Sequence, residues 1–423
     1  MSRKLPEKNP PVVNKEVQKP GWVIEIRKYK VITPLFGGGE EPQRPDSLTT
    51  IRATEVRGHL RFWWRATRGG GFDGNLAAMK KREEEIWGSP AEENKPGPSK
   101  VHVRVVSAHR GKASGNDVGQ PGSAWSYVAF PLREDELPVY EDASFELEIK
   151  YKNVDNINDD VEAALWAWET FGGIGGRTRR GFGALQCEAK KDSADGSWQK
   201  IDPPARNQVD KNFFTKHLLA DGVWHPGVPH LTTNSRMKWV TKTDNASEVW
   251  ESLFTALKEF RQKRYKGEFG LSQWPEANEI RRLFNKEINT PENISGYKHV
   301  ENRFPRAKFG LPIQYNMHHD EDLPEDIKLQ GILIDDKKSI DRLASPLILR
   351  PIACSDGAVG LAAILEWETV ESSEMYTPPG GLVLSGVPNH PSVVSDVLES
   401  EVAYIPPLGS HTDVLQAFLD SLK

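Results

Sequence analysis

Ile51-Arg-Ala-Thr-Glu-Val-Arg-Gly-His-Leu-Arg-Phe-Trp-Trp-Arg-Ala-Thr-Arg68 reads as a single helix, and the rest of the fold is assembled outward from it. At 3.6 residues per turn, Arg57, Arg61, Arg65 and Arg68 share one side, while Val56, Leu60, Trp64 and Thr67 fall one position away with Trp63 beside them. Against Arg52 and these four arginines the helix sets only Glu55, so pairs four residues apart within it cannot neutralise the charge. Another anion is required. Trp63 and Trp64 stand about 100° apart, which places one in the core and the other nearer the surface.

Working toward the N-terminus, Trp22–Ile32 alternates as a strand and ends at Thr33-Pro34, and Phe36-Gly-Gly-Gly39 opens a loop running to Ser47. The helix stops at Gly69-Gly70-Gly71. Toward the C-terminus come a second helix over Leu76–Trp87, a strand over Val101–Val106, a weaker strand over Ser123–Phe130 and a strong one over Ala143–Tyr151. A helix over Asp159–Phe171 follows, with its acidic residues at the start where the dipole favours them. Gly172–Gly183 is a glycine-rich loop that runs into a strand over Ala184–Ala189. This order matches a split βαβ, ferredoxin-like layout, which is also the scaffold of RNA-recognition motifs. Beyond the polar, Pro203-Pro204-bearing boundary, helices are expected over Ser247–Lys266 and Glu276–Glu287. Strands are expected over Lys308–Gln314, Ile327–Ile334, Pro346–Ile352 and Ala358–Glu368, and a closing helix over Thr412–Leu422. The expected fold class is α+β, with two ferredoxin-like (RRM-like, split βαβ) units carrying inserted loops and helices. Residues 1–20 form a flexible arm, 21–190 the N-terminal unit with its glycine-rich loop, 208–376 the second unit with a helical insertion, and 377–423 a C-terminal extension.

The 423 residues, 37% hydrophobic and 27% charged with net charge −5, describe a soluble globular chain rather than a uniformly basic coat for nucleic acid. Anion binding must then come from local patches. Cys187 and Cys354 stand far apart without a CxxC pair, which excludes a zinc knuckle and a disulfide scaffold and fits a reducing compartment. With no signal or membrane-spanning stretch, the expected location is cytoplasmic. Neither metal nor cofactor is expected. His318-His319-Asp320 lies among Glu321, Asp322, Glu325 and Asp326 and reads as an acidic solvated loop, and Asp335-Asp336 before Lys337-Lys338 reads as a turn.

In Gly172–Gly183, Arg177, Arg179 and Arg180 lie between glycines. Glycines let the backbone approach a ligand closely and offer N–H groups to an anion, and arginine presents a fork of donors to phosphate oxygens. The loop lacks the Gly-Lys-Ser/Thr of a Walker site, and it follows a helix rather than a strand, so neither mononucleotide nor NAD binding fits. Arg52, Arg57, His59, Arg61, Trp63, Trp64, Arg65 and Arg68 on the helix join Gly175, Gly176, Arg177, Arg179 and Arg180 on the loop as candidate RNA contacts. Arg303, Arg306, Lys308, Arg342 and Arg350 are candidates for a continued basic surface in the second half.

Arg57-Gly-His-Leu-Arg-Phe-Trp-Trp-Arg-Ala66, preceded by Thr33-Pro-Leu-Phe-Gly37, resembles the RAMP superfamily of CRISPR proteins, and in particular the first RAMP subunit of type III-B (Cmr) effectors. Arg303-Phe-Pro-Arg-Ala-Lys-Phe-Gly-Leu-Pro312 and Arg342-Leu-Ala-Ser-Pro-Leu-Ile-Leu-Arg-Pro351 are similar to that family's second-half motifs, so the resemblance runs from about residue 22 to 351. It adds Phe36 and Gly37 to the candidate RNA contacts. It implies a non-catalytic subunit that binds guide CRISPR RNA near its 3′ end, helps hold the complementary target RNA, and sits beside other RAMP subunits for antiviral defence. Such a protein grips backbone and shape while base pairing reads sequence. The alternative is a RAMP endoribonuclease processing CRISPR transcripts, with His59 or Tyr29 as acid–base groups. A third reading is a scaffold that touches proteins only.

Overall fold

The computed structural model describes residues 21–39, 49–90, 97–113, 124–129, 139–192, 196–242, 245–266, 271–292, 294–317, 322–324, 326–332, 339–340, 342–367, 382–387 and 392–423. The expected N-terminal arm, the His318-His319-Asp320 triplet and the Asp335-Asp336 turn lie outside the described residues. The first half contains β1 (Trp22–Val31), α1 (Ala53–Arg68), α2 (Leu76–Trp87), β2 (Val101–His109), β3 (Lys112–Ala113), β4 (Tyr140–Glu141), β5 (Ser144–Lys152), α3 (Ile157–Phe171), β6 (Leu185–Lys191) and β7 (Gln199–Lys200). The second contains α4 (Lys211–Thr215), β8 (Met237–Lys242), α5 (Ala246–Arg261), α6 (Glu276–Leu283), β9 (Ile313–Tyr315), β10 (Ile327–Ile332), β11 (Ser339–Ile340), β12 (Leu347–Cys354), β13 (Gly357–Ile364), β14 (Leu382–Ser385), β15 (Ser392–Val393), α7 (Glu399–Val402) and α8 (Val414–Ser421).

The first sheet runs in the order β2-β5-β1-β6-β7, every pair antiparallel, with Tyr29 opposite Phe145 and Val31 opposite Leu185. Two helices, α1 and α3, connect strands of this sheet and pack on it through the same apolar core. Period-two alternation does the sorting. Phe145, Leu147, Ile149 and Tyr151 on β5 and Tyr29 and Val31 on β1 are buried beneath α1 and α3. Asn75 accepts from the Ala78 N–H and so caps α2, which returns along α1.

In the second half, β12-β13-β8 form a three-stranded antiparallel sheet. Taken with α5, these strands repeat the first three strand positions of the earlier sheet, and among the described residues no fourth strand joins them. This sheet is a shared wall. Ile348, Ile352, Val359 and Leu361 join the core that holds Trp168 and Phe171 of α3, while Leu347, Leu349, Ala362 and Ile364 face α5 and α8. The capping box of Asn245 with Glu248 starts α5, and the Phe260 ring meets Phe418 of α8 at 5.4 Å. Residues 392–423 are thus built into a core. A third sheet, β11-β10-β14-β15 with β9 on β10, packs with α6 around Ile327, Leu329 and Leu384.

Three segments differ from what their sequence leads one to expect. Ser123–Phe130 was expected as a strand, but Ala124–Tyr127 is a 3₁₀ turn, because Trp125 wedges against Trp250 of α5 at 5.2 Å. Lys308–Gln314 was also expected as a strand, yet Pro305–Phe309 is a 3₁₀ turn and pairing begins only at Ile313, since proline at 305 and 312 removes the N–H a ladder needs. The two tryptophans were expected to divide between core and surface, and both are buried, Trp63 at 5% exposure and Trp64 at 0%. The α3 helix covers both: Phe171 packs against Trp63 at 5.9 Å, and Asp160 accepts from the Trp64 indole at 2.7 Å.

Candidate nucleic-acid interface

The anion that α1 required comes from α2. Glu83, 5% exposed, accepts from Arg61 Nε at 2.7 Å and from Arg65 Nη1 at 2.6 Å through one carboxylate oxygen. The rest of the stripe is spent on backbone oxygens. Arg52 donates to the Gly39 carbonyl at 2.7 Å, Arg57 to that of Trp87, and Arg68 to that of His217 at 2.6 Å. Burial lowers the Arg57 and Arg68 pKa values. Glu83 had a readable signal, an acidic run on a helix that must double back after Gly69–Gly71.

The glycine loop is seated by the Thr33–Gly37 segment. Gly176 N–H donates to the Phe36 carbonyl at 2.5 Å and Gly183 N–H to Pro34 at 2.9 Å, while the Thr33 hydroxyl donates to Gly181 at 2.6 Å and accepts from Ala184. Gly175 has φ +83°, and a Cβ there would collide with the Phe36 carbonyl, so only glycine fits. Its N–H donates to Glu55 Oε1 at 2.7 Å. The N–H groups expected to await an anion are therefore already engaged at Gly175 and Gly176. Burial raises the Glu55 carboxyl to about 7, opposed by the Gly175 hydrogen bond and by Arg52. One turn along α1, His59 is held down to about 4 by burial. Phe36 is 3% exposed and packs edge-on to Phe182 at 6.3 Å, beside the buried Gly37.

Three arginines tie the loop and α3 to the second half. Arg179 donates to the Ser345 carbonyl at 2.6 Å with its guanidinium over the Phe62 ring, and Arg180 donates to Leu347 at 3.0 Å and Phe309 at 3.3 Å. Arg350, expected on a basic surface, is 1% exposed, and its partners supply the physical reason for the correction. It donates to Gly172, to Trp168 at 3.3 Å and to Leu185 at 2.6 Å. The first two carbonyls end α3, where orphaned acceptors and the negative pole of the dipole favour a cation. Burial brings the Arg180 and Arg350 pKa values down to about 9. Farther out, Arg303 pairs with Glu401 at 2.8 Å, Arg306 with Glu276 at 3.0 Å and Lys308 with Asp396 at 2.8 Å.

Arg177 and Arg342 differ from all of these. Arg177 adopts a left-handed conformation, φ 57°. Its pKa is lowered to about 10 by burial and by the like charge of Arg342, and its Nε is buried with no hydrogen-bond partner among the described residues. Arg342 is exposed. Arg342 lies in the other half of the chain, near enough for its like charge to bear on Arg177, and no carboxylate among the described residues contributes to the Arg177 shift. A guanidinium donor left without a partner is one that a phosphate oxygen could accept from.

The RAMP superfamily model matches residues 28–186, a span that includes α1 and the glycine loop. Over 187 residues the chain is 30% identical to "CRISPR system Cmr subunit Cmr1-2" of Pyrococcus furiosus, covering 38% of this chain and 94% of that protein. Among solved structures, the apo form of Cmr1 from Pyrococcus furiosus is similar with a TM-score of 0.46 at 15% identity, over 86% of this chain and 94% of that one. A chain of the type III-B Cmr-beta complex bound to cognate target RNA is similar with a TM-score of 0.47 at 12% identity, over 94% and 99%.

Proposed function

We propose a function for this chain from one premise: it belongs to the RAMP superfamily, as a RAMP subunit of type III-B Cmr systems. It is a component of a type III-B CRISPR effector that holds guide RNA near its 3′ end together with the paired target RNA, beside other RAMP subunits in the cytoplasm, and cuts neither strand. Among the described residues no helix is long and apolar enough to cross a membrane. Residues 21–190 and 208–376 are two ferredoxin-like units in this reading, the second built on β8, α5, β12 and β13. The carrying observation is Arg177, whose Nε is buried with no hydrogen-bond partner among the described residues and whose charge is opposed by that of Arg342 in the other half, with no carboxylate contributing. A phosphate oxygen placed there would relieve both the like-charge repulsion and the desolvation.

Transcript cleavage is supported less well. The Tyr29 hydroxyl donates to Glu169 at 2.5 Å, and burial pushes its pKa well up, so it is a poor proton donor or base near neutral pH. His59, held near 4, stays neutral and cannot serve as a general acid there.

The test is charge reversal at the two arginines, Arg177→Glu with Arg342→Glu, in the full chain. Affinity for labelled guide RNA, free and paired with target, should fall about tenfold or more at fixed salt. The salt slope should also shrink, as expected for two lost phosphate contacts. The melting temperature should hold, and neither RNA should be cleaved with or without the substitutions. Parent-like binding at matched salt would remove the proposal.

A further inference from the structure

The first sheet has a second face. On β1 the helix layer takes Val23, Arg27, Tyr29 and Val31, so Trp22, Ile24, Ile26, Lys28 and Lys30 point away from it. Register places Lys152 opposite Trp22, Lys150 opposite Ile24 and Glu148 opposite Ile26, and on the other side Lys191 opposite Ile26. Directly paired residues share a face. Of these residues only Ile26, 4% exposed, is buried, and none enters an apolar core cluster. The charge on this face is lopsided: over β1, β2, β5 and Lys191, the cations Lys28, Lys30, Arg104, Lys150, Lys152 and Lys191 meet the carboxylates Glu146 and Glu148. Glu148 is already gripped by Arg104 at 2.7 and 3.1 Å.

Two tryptophans rise among the lysines. The Lys150 and Lys152 ammoniums lie 5.0 and 5.6 Å from the Trp22 ring centroid, and the His102 ring is 5.5 Å away, tilted by 42°. Trp198, 41% exposed, sits under Lys191 at 4.9 Å. An indole flanked by ammoniums offers a nucleotide both of the things it needs, a π face for the base and a cation for the adjoining phosphate.

The geometry points to a second RNA-binding surface on this face, where unpaired RNA stacks on Trp22 and Trp198 and is neutralised by the lysine rows. Single strands are specified because a duplex keeps its base faces stacked away from an indole. Lys28 and Lys30 lie along β1 between Trp22 and the Thr33–Gly37 segment that seats the glycine loop, so the face and that segment are joined by one strand. The surface is independent of the Arg177/Arg342 site and is read separately.

The experiment uses the full chain with 4-thiouridine-substituted single-stranded RNA. Photo-crosslinks should map to the peptides bearing Trp22 and Trp198. Trp22→Ala with Trp198→Ala should bind single-stranded RNA about tenfold more weakly. The loss should be of similar size in the parent and in the Arg177→Glu/Arg342→Glu background, because distant sites add. Lys28→Glu with Lys150→Glu, exposed or half-exposed positions that leave the core intact, should reproduce the loss if the tryptophan variant folds poorly. If both variants bind as the parent does and crosslinks are confined to the glycine loop, the face does not bind RNA and the inference is overturned, including the case in which it docks a protein. Failure of the Arg177/Arg342 site alone, with the sheet variants still weakened, would leave this surface standing.

Discussion

Helix α1 and the Gly172–Gly183 loop are both rich in arginine, yet the fold treats the two sets differently. On α1 the charge is settled mostly inside the first half: Glu83 takes Arg61 and Arg65, the Gly39 and Trp87 carbonyls take Arg52 and Arg57, and Arg68 alone reaches a second-half carbonyl, that of His217. On the loop the charge is directed to the second half by Arg179 and Arg180, while Arg177 keeps a buried Nε without a partner among the described residues. The difference teaches that clustered arginine in a sequence reports charge to be satisfied, while its backbone setting decides by what. A regular helix lines its side chains toward the neighbour packed beside it. A loop held by backbone hydrogen bonds can aim each side chain separately.

The largest effect that would break this contrast is at Arg350, the buried cation that completes the same junction. Arg350→Met should lower unfolding free energy by about 3–5 kcal/mol, since it leaves the Gly172 and Leu185 carbonyls buried without their donor. Urea denaturation reads this directly, and a loss below about 1 kcal/mol would mean that the junction does not depend on the cap. Next, Glu83→Gln should cost about 2–3 kcal/mol by stranding Arg61 and Arg65, while RNA affinity stays within about twofold of the parent. A clear gain in RNA affinity on freeing those arginines would erase the distinction between helix and loop.

Smaller effects sharpen the comparison through pH. The Glu55 carboxyl is raised to about 7, so its contribution to stability is complete below its ordinary 4.5 and is lost as pH rises through about 7. His59 acts in the opposite sense. Held at about 4, it contributes fully above its ordinary 6.5, and that contribution is lost as pH falls through about 4. Glu55→Gln should therefore gain on the parent by roughly 2 kcal/mol between pH 5.5 and 8, seen as a melting-temperature difference that grows with pH. A constant difference would place the Glu55 carboxylate in solvent. The smallest change expected is Gly58→Ala in α1, where an added Cβ meets nothing within 4 Å: a gain of about 0.5–1 kcal/mol in thermal denaturation.

Much of the first half was legible because local rules and tertiary packing agree there. The α2 bounds follow from periodicity and caps alone, and β1, β5 and α3 from alternation and helical spacing. The second half was harder where the pattern is set by distant partners. Met237–Lys242 has a polar, lysine-bearing sequence and becomes β8 only because β13 pairs along it. Trp64 could not be placed from its own helix, since α3, far along the chain, supplies both its cover and its hydrogen-bond acceptor. The candidate site was legible in composition and not in allegiance. Arg177, Arg179, Arg180 and Arg350 were all picked out, but which were structural depended on carbonyls that no spacing reveals. Trp22 and Trp198 escaped notice because a single aromatic on a strand or in a loop carries no periodic signal.

The Arg350 cap also has a consequence for the order of biosynthesis. Gly172 and Arg350 are separated by 178 positions. At ordinary translation rates, roughly 10 to 35 s elapse between emergence of the end of α3 and emergence of the strand that completes it. During that interval the nascent first half shows the ribosome's surroundings an unfinished helix terminus and the apolar surface that Ile348 and Val359 will later cover. Apolar surface exposed in this way favours misassembly, so that interval is when the first half is most open to it, well before the last residue is made.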